Sequence, residues 1–203
     1  MSCTPPRLAL GAALFAALLF LGGWPSAAVA RAFSAAYCPL ANLLIAHQTF
    51  GRGGRARLAP VDRIQRGDGD NVTADATIAL RVDGYQGALP LGMSLRRDVY
   101  LPLLILTALL IATPLGLRRR LLGLAVAVPV LLLWSLVVIQ ILVVWLFATK
   151  LAGIYAISPR ELRVVDLAYE ALLAPPGNRF IVPMVVGIGA IAWQASRPPR
   201  SLA

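Results

Sequence analysis

The sequence contains few of the side chains that most often carry out catalysis or bind metals. Among 203 residues there is one histidine, His47, and there are two cysteines, Cys3 and Cys38. One histidine and scattered carboxylates do not supply the ligand set of a zinc or haem site. We therefore expect no metal, no cofactor and no metal-dependent activity.

The two cysteines lie on either side of the first apolar block of the chain. If that block crosses a membrane, their Cα atoms are much too far apart for a disulfide. Cys38 and His47, with a nearby arginine, are the residue types of a thiol transpeptidase. Their spacing does not place them on one helical face, and no third group orients them. We favour a hydrogen-bonded interfacial histidine and keep a thiol-dependent membrane enzyme using Cys38 as an alternative.

Charged residues are scarce, at 14% of the chain, whereas 59% of the residues are hydrophobic and the mean hydropathy is +0.75. Soluble domains carry about 25% charged residues. The net charge of +10 comes almost entirely from arginine, because Lys150 is the only lysine. These arginines lie at the ends of apolar blocks and in one long loop, without interleaved aromatics. The pattern excludes a nucleic-acid surface and indicates a membrane protein in contact with lipids.

Four apolar blocks are long enough to be considered as membrane spans: residues 8–30, 99–117, 121–148 and 180–195. The first block has two interpretations. It has the basic start and the small-residue Ala28-Val29-Ala30 sequence of a signal peptide, but it is also long enough for a retained anchor with Trp24 at the interface. We favour the anchor. Apolar residues continue beyond it and predict a further helix, along residues 32–46, lying against the membrane.

The orientation follows from Arg118, Arg119 and Arg120, between the second and third blocks. Short loops rich in arginine stay in the cytoplasm, so these three residues determine the topology. The fold class predicted is an α-helical polytopic membrane protein of about four transmembrane helices, in a bacterial inner membrane, with both termini cytoplasmic. The predicted segments are an anchor or signal-like helix (1–30), an extracytoplasmic segment (31–98), a transmembrane hairpin (99–149), an extracytoplasmic loop (150–179) and a last helix with its tail (180–203).

A β-hairpin is predicted in the extracytoplasmic segment. Hydrophobic residues alternate strictly from Val72 to Val82, and Asp83-Gly84 then supplies a turn before residues 89–95. Pro90 requires the second strand to be an edge, and a third strand is possible around residues 58–65. An isolated hairpin is marginal in water, so its apolar face is expected to pack on helices or on a partner. The candidate docking residues here are Ile78, Leu80 and Val82.

The preceding residues 51–57 are interpreted as a mobile basic linker. It is either a solvated connector or a contact for anionic lipids.

An amphipathic helix is predicted from Ser158 to about Leu173. Ser158 and Glu161 form a capping box, and Pro159 suits the first helical position. One face carries four further candidate docking residues: Leu162, Val165, Tyr169 and Leu172. This face is expected to lie on the extracytoplasmic membrane surface or to bind a partner.

The apolar blocks contain no ionisable residue within the predicted spans. Intramembrane charges usually mark proton paths and catalytic sites, so their absence from the sequence of these blocks disfavours a transporter, a channel or a membrane enzyme. A small transporter or channel subunit remains an alternative. It would need a polar path, for which the residues available are Gln140, Ser135 and Thr113.

The order of elements resembles a known family. The features that carry the resemblance are an N-terminal anchor and the segments Ala88-Leu89-Pro90-Leu91, Leu101-Pro102-Leu103, Ala108-Leu109-Leu110-Ile111-Ala112-Thr113-Pro114, Arg118-Arg119-Arg120-Leu121-Leu122, Leu167-Ala168-Tyr169-Glu170, Ile181-Val182-Pro183 and Trp193. The chain resembles the exosortase H-associated membrane proteins. This implies a non-enzymatic accessory role in sorting or processing proteins with C-terminal sorting helices, beside a polytopic exosortase partner. The family has no assigned catalytic residues, and the chain lacks the intramembrane Cys/Arg/His set of the exosortase itself.

Overall fold

The protein is mostly helical and carries one small three-stranded antiparallel sheet. The computed structural model describes residues 5–22, 27–50, 53–66, 73–84, 88–151, 157–173 and 180–196. The helices are α1 (Pro5–Gly22), α2 (Ala27–Ile45), α3 (Leu101–Ala112), α4 (Leu117–Lys150), α5 (Pro159–Leu173) and α6 (Val182–Ala195). The strands are β1 (Gly54–Arg66), β2 (Thr73–Val82) and β3 (Leu89–Met93), and a π-helical turn, Arg96–Tyr100, leads directly into α3.

The first apolar block does not form one helix. Helix α1 ends at Gly22 and α2 begins at Ala27, so residues 27–30, which the sequence assigned to the first block, lie in the second helix. The helix predicted along residues 32–46 is confirmed, with an earlier start. Cys3 lies outside the described residues.

The second and third blocks form a pair of helices joined by residues 113–116. Helix α3 ends at Ala112, earlier than predicted, because Thr113 is extended before Pro114. Arg118, Arg119 and Arg120 lie in the first turn of α4, whereas the sequence placed them in a loop. A Cβ on Gly123, near the start of α4, would lie 3.4 Å from a methyl carbon of Leu110, near the end of α3. The two helices therefore form an antiparallel hairpin.

Glycines allow α1 to lie close to α3. A Cβ on Gly22 would lie 2.6 Å from a methyl carbon of Leu104, and one on Gly11 would lie 2.9 Å from the carbonyl oxygen of Ala112. Because Gly11 meets the end of α3 and Gly22 meets its beginning, these two helices are antiparallel. Helices α3, α4 and α6 share a buried cluster of small and branched apolar side chains: Leu106, Leu110, Ala127, Leu131 and Ala190.

Two of the described helices are long and apolar enough to cross a membrane by length and composition, one within α2 (Ala28–Ile45) and one comprising α4 (Leu117–Lys150). Parts of α1 and α6 are shorter apolar helices. Large apolar side chains are exposed on these elements, among them Phe20 at 84% and Val185 at 63%. Soluble monomers rarely expose such a surface, so the structure is compatible with a membrane protein.

The sheet has the order β1-β2-β3, and both pairs are antiparallel. The predicted hairpin of β2 and β3 is confirmed, as is an edge position for Pro90. The third strand is present and longer than predicted. Since β1 begins at Gly54, the interpretation of residues 51–57 as a mobile linker is wrong for residues 54–57. The register of β1 is interrupted between Pro60 and Gln65, opposite Asp75.

The larger core lies between the inner face of the sheet, α2 and the last part of α4. Its sheet residues include Ala56, Leu58, Ile78, Leu80 and Met93, and its helix residues include Tyr37, Ala41, Ile45, Ile139, Val143 and Phe147.

Candidate functional site

The sheet, α2, α5 and residues 136–150 of α4 contact one another and are called the head. Helix α2 contacts β1 and β2, and α5 contacts α4. The head contains the candidate docking residues predicted in the extracytoplasmic segments. Its internal contacts decide which surfaces remain available to a partner.

Asp75 joins the sheet to the helix that follows it. Asp75 occupies one of the polar positions that alternate with apolar ones along β2, yet it is only 7% exposed. Its carboxylate oxygens accept the backbone N–H groups of Leu95 (2.6 Å) and Arg96 (2.8 Å). The Ser94 hydroxyl oxygen accepts the next one, from Arg97, at 3.4 Å. The first backbone N–H groups of this helical segment have no acceptor within the helix. The side chains of Asp75, from strand β2, and of Ser94 accept their hydrogen bonds instead.

The register of the sheet explains why Asp75 reaches this position. Ala76 pairs with Met93 at the end of the β2–β3 ladder, so the chain leaves β3 and turns into the helix next to Asp75. Burial raises the pKa of the Asp75 carboxyl, and the hydrogen bonds from the amides of Arg96 and Leu95 oppose that rise.

The outer edge of β1 is covered by side-chain and backbone groups. The Asn42 side chain on α2 donates to the Leu58 carbonyl (2.7 Å) and accepts from the Leu58 amide (2.8 Å). Phe50 exchanges both backbone hydrogen bonds with Gly54, and its ring stacks on Phe147 at 4.9 Å between centroids. An uncovered edge invites pairing with another chain, so these contacts close one side of the sheet.

Helix α5 is held on α4 through Trp145. The Trp145 and Tyr169 rings stack at 4.1 Å with an interplanar angle of 11°. The indole N–H of Trp145 donates to an Asp166 carboxylate oxygen at 3.0 Å. Tyr169, a candidate docking residue, is therefore engaged within the protein, and the face predicted to lie on the membrane or a partner is turned towards α4.

The predicted capping box at the start of α5 is confirmed. The Ser158 amide donates to Glu161 at 2.8 Å, and the Glu161 amide donates to the Ser158 hydroxyl oxygen at 3.3 Å. The hydrogen bond from the Ser158 amide lowers the pKa of the Glu161 carboxyl. This box fixes where α5 begins.

The other candidate docking residues divide into two groups. Ile78, Leu80 and Val82 are buried in the core of the head, so the sheet packs its apolar face on the protein's own helices and does not present it. The remaining residues of the α5 face are half-buried: Leu162, Val165 and Leu172.

Two surfaces of the head point outward. On α5, Val164 and Leu167 are each 66% exposed, on a face that the sequence did not single out. On the sheet, Arg55, Arg57 and Arg81 are exposed, and Arg55 stands directly opposite Arg81. The alternation of arginine with small or apolar residues at positions 55–58 was a readable strand signal for this surface. Nothing local to the sequence indicated the burial of Asp75 or the contact between Asn42 and Leu58.

The alternative sites are not assembled in the described part of the chain. Cys38 is buried in the core, His47 is exposed at the end of α2, and no described hydrogen bond joins them. Thr113 donates to the Leu109 carbonyl of its own helix. Ser135 donates to the Leu132 carbonyl and, as acceptor, takes the hydroxyl hydrogen of Tyr37.

Gln140, the third residue of the proposed polar path, pairs with the side chain of Gln48. It lies with Ser135 in the second half of α4, whereas Thr113 caps the carboxyl end of α3, near the start of α4. The three side chains therefore do not line a common path.

The described residues contain no group of three or more His, Cys, Asp and Glu placed to hold a metal ion. Comparison with protein-family models, with curated proteins and with solved structures finds no significant match to this chain.

Proposed function

We propose that this chain is a multi-pass protein of a bacterial inner membrane and acts as a non-enzymatic accessory to a polytopic partner of the exosortase type. In this proposal α1, α3, α4 and α6 cross the bilayer and both termini are cytoplasmic. Helix α2 is also long and apolar enough to span, but it packs on β1 and β2 as part of the head, and the proposal places it with the sheet at the outer surface.

The contacts between helices support this topology. Helix α1 is antiparallel to α3, and α3 is antiparallel to α4. Helix α6 follows α5, which packs on the outer part of α4, and ends with Gln194 beside Gly123 near the start of α4. Four helices that alternate in direction bring the three arginines of α4 to the end opposite the head. That arrangement agrees with the positive-inside rule.

The length of α4 supports a head outside the bilayer. Its 34 residues measure roughly 51 Å. A hydrocarbon core is about 30 Å thick, so roughly 20 Å of the helix extends beyond it. The residues that pack against the sheet and α5, such as Val143, Trp145 and Phe147, lie in this final part.

The topology predicts opposite labelling of two substituted cysteines. In a Cys3→Ser, Cys38→Ser background, Arg55→Cys is expected to react with a membrane-impermeant maleimide added to intact spheroplasts. Arg118→Cys is expected to react only after permeabilisation. Both positions are exposed, so steric protection does not explain a difference. Equal labelling of the two sites in intact spheroplasts would contradict the topology.

The observation that carries the accessory role is the outer face of α5. This helix is fixed on one side by Trp145, and it presents Val164 and Leu167 to the outside on the other. A rigid helix with an exposed apolar strip is the form in which helices bind a groove on a partner. Because the inner face of the sheet is already filled, the strip on α5 is the surface we assign to the partner.

The double substitution Val164→Gln, Leu167→Gln is expected to reduce co-purification of the partner by tenfold or more. Burial of two such side chains contributes roughly 3 kcal/mol or more to an interface. The measurement is quantitative mass spectrometry of tagged protein co-expressed with an exosortase and extracted in mild detergent. Arg160→Gln, Arg163→Gln is the matched control, because both arginines are exposed on the same helix. Equal yields from the two double variants, or purification without the exosortase in the unsubstituted protein, would refute the assignment.

A further inference from the structure

The outer face of the sheet, which is turned away from α2 and α4, carries three arginines close together. Arg55 and Arg57 on β1 and Arg81 on β2 are exposed. Arg55 stands directly opposite Arg81, and Arg57 stands opposite Ala79, two residues earlier on β2. Since side chains two residues apart on a strand point to the same face, all three arginines share the outer face. None of their side chains forms an ion pair or a hydrogen bond with a described residue.

The pairing of Arg55 with Arg81 is unfavourable for the sheet itself. Residues directly opposite each other in an antiparallel pair have Cα atoms about 5 Å apart, and like charges at that spacing repel. Asp83, the described carboxylate at this end of the sheet, lies over Gly53 and forms no ion pair with the three arginines. Local rules of this kind are broken mainly at functional sites, and an anionic ligand would relieve the repulsion.

This end of the sheet lies farther from the helical bundle than the other end. A Cβ on Gly54, the first residue of β1, would stand 2.8 Å from the Phe147 ring, whereas Asp75 at the far end of β2 contacts the segment that leads into α3. Phe147 is roughly 40 Å along α4 from Arg120. A hydrocarbon core is about 30 Å thick, and each headgroup layer adds about 5 to 8 Å. Under the membrane topology proposed above, the arginines therefore lie at or beyond the outer limit of the headgroups.

We propose that Arg55, Arg57 and Arg81 bind an extended acidic segment of a protein. Side chains at alternate positions of an extended chain are about 7 Å apart on one face, so carboxylates at such positions match the spacing of Arg55 and Arg57. A guanidinium group binds a carboxylate through two parallel hydrogen bonds. Thr77 and Ala79 on the same face are small and half-buried, so the backbone of the segment can approach the sheet. The choice of a protein over lipid headgroups rests on the proposed topology, whereas the binding of carboxylates does not.

The test uses the full chain in detergent and a fluorescent peptide of alternating glutamate and serine, with binding measured by fluorescence anisotropy at low salt. The double substitution Arg55→Gln, Arg81→Gln is expected to weaken binding about tenfold, because two guanidinium contacts are lost. Arg160→Gln, Arg163→Gln is the matched control. It removes the same charge from exposed positions on α5 and is expected to weaken binding less than twofold. The melting temperature of the Arg55→Gln, Arg81→Gln variant is expected to be equal to or higher than that of the unsubstituted protein, since the repulsion is removed.

Two outcomes of the peptide measurement would overturn the proposal. Equal weakening by the two double variants would show that the attraction reflects net charge only. Absence of measurable binding to the unsubstituted protein would show that the arginines form no site for carboxylates. Because this measurement is made in detergent, its result is independent of the cysteine labelling that tests the topology, and the two proposals can fail separately.

A second measurement distinguishes a protein segment from lipid. A fluorophore is attached to Arg57→Cys in a Cys3→Ser, Cys38→Ser background, in phosphatidylglycerol nanodiscs that contain a lipid with a nitroxide on its headgroup. Weak quenching is expected, whereas the same fluorophore on Arg118→Cys, at the inner end of α4, is expected to be quenched strongly. Equally strong quenching at the two positions would place the arginines of the sheet among lipid headgroups and overturn the assignment to a protein.

Discussion

Replacing Asp75 by alanine is expected to lower the free energy of unfolding by about 3 kcal/mol. The substitution leaves the buried Leu95 amide and the neighbouring Arg96 amide without their acceptor. Loss of a helix cap costs about 1 kcal/mol, and each buried donor left unpaired adds roughly 1 to 3 kcal/mol. Thermal or denaturant unfolding of the purified protein in detergent measures the effect.

Asp83→Ala is the control for this prediction, because Asp83 is an exposed carboxylate just after the same strand. Asp75→Asn is expected to be intermediate, since an asparagine has one acceptor oxygen for two donors. Equal stability of the Asp75→Ala and Asp83→Ala variants would show that the contact between strand and helix does not hold the head on the bundle.

The raised pKa of Asp75 gives this contact a dependence on pH. A carboxyl whose pKa is higher in the folded state than its ordinary value of 3.8 binds its proton more tightly when folded. The proton-linked part of its contribution to stability is therefore complete below about pH 3.8 and is lost as the pH rises through the raised value, whereas the two amide hydrogen bonds remain in the ionised form. The stability of the unsubstituted protein relative to Asp75→Asn is expected to fall over that interval. A difference that grows with pH instead would mean that the two amide hydrogen bonds outweigh burial.

Replacing Trp145 by alanine is expected to release α5 from the head. The substitution removes both the stacking on Tyr169 and the hydrogen bond to Asp166. A ring stack contributes about 1 kcal/mol beyond burial, and a hydrogen bond to a charged group about 2 kcal/mol. The resulting loss of about 3 kcal/mol corresponds to roughly 100-fold faster amide hydrogen exchange along α5, where exchange proceeds by local opening.

Trp145→Phe separates the two interactions, because phenylalanine keeps a ring for Tyr169 and loses the N–H for Asp166. It is expected to cause a smaller increase in exchange than alanine. Amides of α3 serve as the internal reference, because α5 packs mainly on α4. Unchanged exchange along α5 in Trp145→Ala would contradict the assignment of Trp145 as its anchor, and with it the rigid outer strip of Val164 and Leu167.

Features encoded within a few residues were predictable from the sequence. The capping box of Ser158 and Glu161 fixed the start of α5, because both partners lie in one turn. The alternation through Ile78 and Leu80 identified the buried face of β2, and Pro90 identified an edge strand. In each case the signal and its structural cause are local.

Features that depend on distant partners were missed. Asp75 is a polar residue in an alternating strand, and nothing near it in the sequence indicates that its carboxylate accepts from amides 20 and 21 residues later. Tyr169 was expected on an outer surface, since its partner Trp145 lies in another apolar block. The division of the first block between Gly22 and Ala27 was also missed, although Gly22, Gly23 and Pro25 are local helix-ending signals, because apolar residues continue on both sides.

The unbroken course of α4 has a mechanical consequence. In the proposed topology one helix reaches from the arginine-rich inner end to the head without a loop. Its internal proline, Pro129, lies in the first half, and residues 130–150 continue to the head without another. In a thinner membrane a long helix tilts further to keep its apolar surface covered. With a projecting arm of roughly 20 Å, an added tilt of about 10° would displace the outer end by about 3 to 4 Å. The exposed strip on α5 would then move relative to the partner by that distance, so the proposed contact would depend on the thickness of the bilayer.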